Sequence, residues 1–128
     1  MNAAGFLAVG AGAAVGAWIR WGLSVLLNPI VPSLPLGTLV ANLVGGYLMG
    51  MAMAVMEQSQ TFSPELRLLI TTGFLGGLTT FSAFSADATT LLVQHQYAWF
   101  AALVAAHVAG SILMTVAGIV TVRFAVGM

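Results

Sequence analysis

Four long apolar runs, parted by three short stretches rich in polar and turn-forming residues, make up nearly the whole chain. The first extends from about Ala3 to Leu27, is interrupted only by Arg20, and gives way to the turn-rich NPIVPSLP of residues 28–35. The second covers about 36–56 and stops at Glu57. The loop EQSQTFSPE then sets Ser63 ahead of Pro64 and Glu65. That order predicts a helix start, with proline in the first turn and an acid at the positive end of the dipole. The third run therefore covers about 64–93, passes Asp87 and ends before QHQ at 94–96, and the fourth covers about 97–122, with Arg123 just beyond. A bilayer core asks for roughly 20 apolar residues per helix, and unbroken runs of this length favour helices over the shorter, alternating strands of a membrane barrel. The expected architecture is all-α: one transmembrane domain, residues 1–128, of four helices.

Composition strengthens that reading and closes off others. Of 128 residues 60% are apolar, and the only charges are three Arg and three acids, a balance foreign to water-soluble domains. Net charge is zero and basic residues nowhere cluster, so phosphate-backbone binding has no footing and nucleic acid is not an expected partner. Cysteine is absent, which removes disulfides and thiolate chemistry. The start MNAAGFLAVG lacks a positively charged segment ahead of its apolar run, so that run is expected to be retained. Lys and Arg in short loops orient a membrane protein. Here Arg67 and Arg123 fall on one side and Arg20 near the other, almost no bias, so the chain is expected to insert both ways up. Four helices also make a thin bundle for a pathway, and an antiparallel homodimer would supply eight.

Polar side chains inside the spans need partners, and they either join helices or line a path. Thr38, Asn42 and Gly46 share one stripe of the second helix at i, i+4, i+8, and His107, Ser111 and Thr115 do the same in the fourth. A lone Ser or Thr often bonds only its own helix or a neighbour, and His107 reads equally well as a packing histidine. Two aligned stripes, with the two amide donors of Asn42, favour a pathway. The pairs Gly12/Gly16 and Gly46/Gly50 read as close helix packing, and Met49, Met51, Met53 and Met56 as adaptable filler.

The third run contains GFLGGLTTFSAFS, residues 73–85. Gly costs a helix about 1 kcal/mol against Ala and β-branched Thr adds little back, so the helix is expected to break between Gly76 and Thr80. Backbone freed in a bilayer is tolerated where it is buried in protein or lines a cavity, and its carbonyls are natural cation ligands. Once the helix resumes, Phe81 and Phe84 fall on one face, with Ser82 and Ser85 beside them. Ring edges carry the positive end of the aromatic quadrupole and can face an anion without formal charge.

GFLGGLTTFSAFS closely resembles the GGxTTFSTF signature of the Fluc fluoride channel family, also called CrcB proteins. The resemblance continues in GAWIRW at 16–21, GTLVANLVGGYLMG at 37–50 and GSILMT at 110–115, and so touches all four spans in order. It implies a passive, selective fluoride channel in the inner membrane of a bacterium, a dual-topology homodimer with two antiparallel pores. Phe81 and Phe84 match the family's pore phenylalanines, Asn42 its pore asparagine, and Ser111 and Thr115 its polar track, with Ser82, Thr38 and His107 as further candidates along the path. Gly76 and Thr79 match positions whose backbone carbonyls, two from each subunit, hold a structural Na+. Arg20 matches a characteristic arginine, read either as an anion ligand or as a side chain snorkelling to the interface. Asp87 stands either at a vestibule mouth or at the end of the apolar run. Ala83 departs from the pattern, which has Thr between the phenylalanines; the expectation is an intact dimer with altered fluoride throughput. No nucleotide loop, triad or metal cluster points to an enzyme. A proton-coupled small multidrug exporter is the first alternative, but it needs an intramembrane carboxylate, usually in the first helix, which has none here. A non-conducting scaffold is the second.

Overall fold

The computed structural model describes residues 1–127, and among them every regular element is helical. Four helical stretches are long and apolar enough to cross a membrane: Ala3–Ile30, Leu36–Gln58, Pro64–Val93 and Tyr97–Ala125. Helix α1 (Ala3–Leu27) starts on Asn2, whose side chain accepts the Gly5 N–H, and runs into a short 3₁₀ turn at Asn28–Ile30 where Pro29 ends it. Helix α2 (Leu36–Gln58) follows, and α6 (Tyr97–Ala125) closes the chain. Both of these continue slightly past the ends expected at 56 and 122, where Arg123 and Glu57 meet at 3.7 Å on an exposed end of the bundle.

The third span is composite. Helix α3 (Pro64–Leu68) begins at Ser63, whose hydroxyl accepts the Leu66 N–H. A π-helical turn occupies Leu69–Leu75, a three-residue α4 (Gly76–Leu78) follows, and after two extended residues α5 (Phe81–Val93) completes the crossing. The break expected between Gly76 and Thr80 falls at Thr79 and Thr80 themselves, with φ/ψ of −87/156° and −151/124°. The π turn has no precedent in the apolar pattern. It lengthens each backbone hydrogen-bonded span from four residues to five just where Thr71 Oγ1 bonds the Arg67 carbonyl at 2.8 Å and competes for that acceptor.

Glycines set how closely the helices approach. A Cβ on Gly12 or Gly16 would run into backbone of the π turn and α4, and one on Gly77 would strike Ala13. Between α2 and α6, a Cβ on Gly50 would strike the Thr115 carbonyl and one on Gly118 the Tyr47 carbonyl. The small-residue pairs are thus seams between backbones. Buried side chains gather around Ala41, Leu75 and Leu78 at the middle of the bundle and around Phe84, Ala88, Leu91 and Leu103 toward one end, while most outward apolar side chains stay exposed.

Candidate functional site

A cavity of about 430 Å³ opens beside the break, between α2, the broken span and α6. Its wall holds Asn42, Thr79, Thr80, Phe81, Phe84, His107, Ser111 and Thr115 together with Gly45, Gly46 and apolar side chains, and carries no Asp, Glu, Lys or Arg. The two polar stripes predicted for the second and fourth spans therefore meet here, joined by the phenylalanines.

The break builds this wall. Thr80 caps α5, its hydroxyl accepting the Ala83 N–H at 3.1 Å. The Thr80 N–H, which in a continuous helix would bond Gly76, goes instead to Asn42 Oδ1 at 2.7 Å, and Asn42 Nδ2 returns a bond to the Thr80 carbonyl at 2.9 Å. A single amide on α2 thus satisfies both backbone polar groups of Thr80, the residue that left the helix. The same Nδ2 lies 3.0 Å from His107 Nδ1. Gly45 makes room for this arrangement, since a Cβ there would overlap the Thr79 methyl. On the other side of the break, Arg20 Nε donates to the Gly77 carbonyl at 3.0 Å, so the arginine of α1 braces the broken segment from within the span.

With Thr80 capping, Phe81 and Phe84 lie at successive turns of one face, ring centroids 5.5 Å apart and planes at 70°, an edge-to-face pair. Phe84 is buried at 7% exposure and stacks on His107 at 4.6 Å. Phe81 is 76% exposed. Gly76, before the break, is exposed as well.

Other candidates fall elsewhere. Thr38 is buried one turn away, where its N–H bonds Asn28 Oδ1 at 3.1 Å and its hydroxyl lies 3.4 Å from Asn28 Nδ2. It ties α2 to the 3₁₀ turn and lies off the cavity wall. Ser82 points outward, 3.3 Å from the Thr80 hydroxyl. Asp87 lines a separate cavity of about 320 Å³ with Ser33, Thr90, Gln94 and Gln96 at the loop end of the bundle. Arg67 and Arg123 lie together at the opposite end, where Arg67 Nη2 donates to the Met56 and Ser59 carbonyls. Three contributors went unnoticed in the sequence. Asn28 looked like a loop residue, Thr80 like a second weak helix former, and Gly45 was hidden beside the Gly46/Gly50 pair; the TT dipeptide before Phe81 was the one visible trace of a cap.

Fold and cavity together describe a small four-span membrane protein with an uncharged polar path beside a broken helix. The chain belongs to the family described as CrcB-like protein, Camphor Resistance (CrcB), whose model matches residues 7–119. It is 55% identical over 117 residues to the fluoride-specific ion channel FluC of Nitrosospira multiformis, covering 91% of each chain. It is 53% identical over 121 residues to the protein of that name from Pseudomonas putida, covering 94% of this chain and 95% of the relative. For the Aromatoleum aromaticum protein, also named fluoride-specific ion channel FluC, identity is 58% over 113 residues, 88% of this chain and 86% of the relative.

Proposed function

We propose that this protein is a passive fluoride channel and not an enzyme, working as an antiparallel homodimer in the inner membrane of a bacterium and letting cytoplasmic fluoride out. The observation that carries this reading is the near full-length similarity, above half identical, to proteins named as fluoride-specific channels. The cavity supports it chemically. Fluoride holds its water tightly, and a pore must replace that shell with donors weak enough to release the ion again. Hydroxyl and imidazole groups and the edges of Phe81 and Phe84 are such donors, on a wall free of fixed charge and braced by the amide of Asn42. The proposed path runs past Asn42, Phe81, Phe84, His107, Ser111 and Thr115, with Thr38 and Ser82 at its margins and the Asp87 cavity as a vestibule.

A second copy would cover Phe81 and Gly76, and the three Arg that would orient the chain are too few to impose one insertion strongly, although Arg20, engaged at mid-span, does not balance Arg67 and Arg123 at one end. The structural Na+ implied by the resemblance fits the backbone here. Gly76 has lost its helical donor to Asn42, and Thr79 is extended, which leaves two carbonyls per chain for the ion and four in a dimer. The exporter alternative has little to build on, because Asp87 is the one acid between the ends of a span and it lies toward the loop end of the bundle, off the main cavity.

The test is fluoride efflux from liposomes holding the purified protein, with a potassium ionophore to clamp voltage and chloride as control. Rapid fluoride release with chloride retained is the expected result; equal release of both ions, or none from a folded dimer, would reject the reading.

A further inference from the structure

Three charged residues share one depth in the bundle. Glu57 stands one residue short of the end of α2, Arg67 lies in the opening turn of the third span, and Arg123 stands two residues short of the end of α6. All three line one cavity of about 540 Å³, together with Met53, Ala54, Met56 and Ile119. Met53 lies one turn below Glu57 and Ile119 one turn below Arg123, each about 6 Å deeper along its helix. The cavity therefore has a charged rim where the spans leave the hydrocarbon and apolar walls that reach into it.

The rim carries more positive than negative charge, and part of its donor capacity is unused. Arg67 Nη2 donates to the Met56 and Ser59 carbonyls, both at 3.1 Å, and Nε to the Phe62 carbonyl at 3.4 Å. Three backbone groups thus hold the guanidinium in place. Among the described residues its Nη1 has no hydrogen-bond partner and no carboxylate stands within ion-pair distance of it. Arg123 meets Glu57 at 3.7 Å, the two side chains 52% and 71% exposed. An exposed pair at that separation holds weakly, so Arg123 can turn toward a better acceptor.

We propose that this cavity binds an anionic phospholipid, its phosphodiester between Arg67 and Arg123 and the first carbons of an acyl chain along Met53 and Ile119. The planar fork of arginine matches phosphate oxygens two at a time, and a basic pocket between membrane helices at headgroup depth suits an anionic lipid. Free phosphate would match the rim alone, whereas the apolar walls below it match a ligand with a hydrocarbon tail. A zwitterionic lipid offers the same phosphate but brings its own cation to two arginines. None of the polar groups of the proposed fluoride path lines this cavity, so the assignment stands apart from the ion conducted. A lipid held here would join the ends of α2 and α6 to the start of the third span.

The experiment is native mass spectrometry of the purified protein in detergent, titrated with dioleoyl phosphatidylglycerol or dioleoyl phosphatidylcholine. Thermal unfolding is followed with the same lipids and with sodium phosphate against sodium chloride at equal ionic strength. The unaltered protein should bind phosphatidylglycerol at least about fivefold more tightly, the scale of one arginine near an anionic headgroup, and unfold at a higher temperature with it. Sodium phosphate should give no such protection. Arg123→Gln, at a side chain whose one polar contact is Glu57, should lower phosphatidylglycerol affinity about fivefold and leave phosphatidylcholine unchanged. Glu57→Gln removes the competing carboxylate and should raise that affinity. Arg67 stays in place because its loop depends on it. Equal binding of the two lipids, a preference that neither substitution moves, or no lipid bound, as for a cavity filled by a second copy, would overturn the assignment. Protection by sodium phosphate equal to that by phosphatidylglycerol would overturn it too, in favour of a soluble anion.

Discussion

The α2–α6 seam and the broken third span are built on opposite principles. Along the seam two uninterrupted helices of 23 and 29 residues satisfy their own backbones. Their neighbours need supply only shape, and glycine supplies it: Gly50 lies against the Thr115 carbonyl and Gly118 against that of Tyr47. In the third span the helix widens, stops for two residues and restarts. The groups it frees are met by side chains of other helices, Arg20 from α1 at Gly77 and Asn42 from α2 at Thr80. In hydrocarbon a helix is self-sufficient, whereas a break must borrow its partners. Polar side chains therefore converge on the break, and the cavity forms there.

The sharpest way to break this contrast is Asn42→Ala. It leaves the Thr80 N–H and C=O unpaired inside the bundle, each at a cost of about 1–3 kcal/mol, and removes the contact to His107 Nδ1. Fluoride efflux should be abolished and the protein markedly less resistant to thermal or detergent unfolding. Stability equal to the unaltered protein would mean that the break satisfies itself. Gly50→Val tests the seam by shape alone. Its added carbons meet backbone of α6, not the flexible end of a side chain, so the helices must part; overpacking of this kind costs about 1–3 kcal/mol. A loss of folded protein is expected, with efflux per folded protein reduced less, since of the cavity wall only Thr115 is displaced and Asn42, Phe81 and Phe84 are untouched. A well-folded variant with impaired flux would show that seam and site are coupled.

The seam was legible in the apolar pattern because it depends on composition at regular spacing: run lengths gave the spans, and glycine pairs gave the approach of one backbone to another. The break was legible as a weakness, from consecutive glycines and threonines, but its form was not. Whether Thr79 or Thr80 leaves the helix depends on an asparagine 38 positions earlier reaching one particular peptide, and local sequence holds no record of that distance. The π turn was invisible for a related reason, since Gly12 and Gly73 allow it only once α1 lies against it. Within the site, Asn42 from one stripe and His107, Ser111 and Thr115 from the other line one cavity. Periodicity could not tell a stripe member that faces the cavity from one tied to a loop, and so Thr38 was grouped with Asn42 although its partner is Asn28. Nor could it place Arg20, which was read as facing either an anion or the membrane surface and instead bonds the Gly77 carbonyl.

The smallest effect belongs to Ala83→Thr, and it probes how far the site extends. Position 83 serves the cap through its backbone N–H, bonded to the Thr80 hydroxyl at 3.1 Å, and any residue but proline provides that group. Its side chain is off the cavity wall of its own copy although it stands between Phe81 and Phe84 in sequence. Threonine there should change unfolding stability by no more than about 0.5 kcal/mol, and fluoride efflux by no more than about twofold if each path is lined by one copy. A larger change in flux with stability unmoved would place the new hydroxyl on a wall shared by two copies, for which the exposed ring of Phe81 is also available. The extent of the change would then measure how much of the path belongs to the break of one chain and how much to the face of the other.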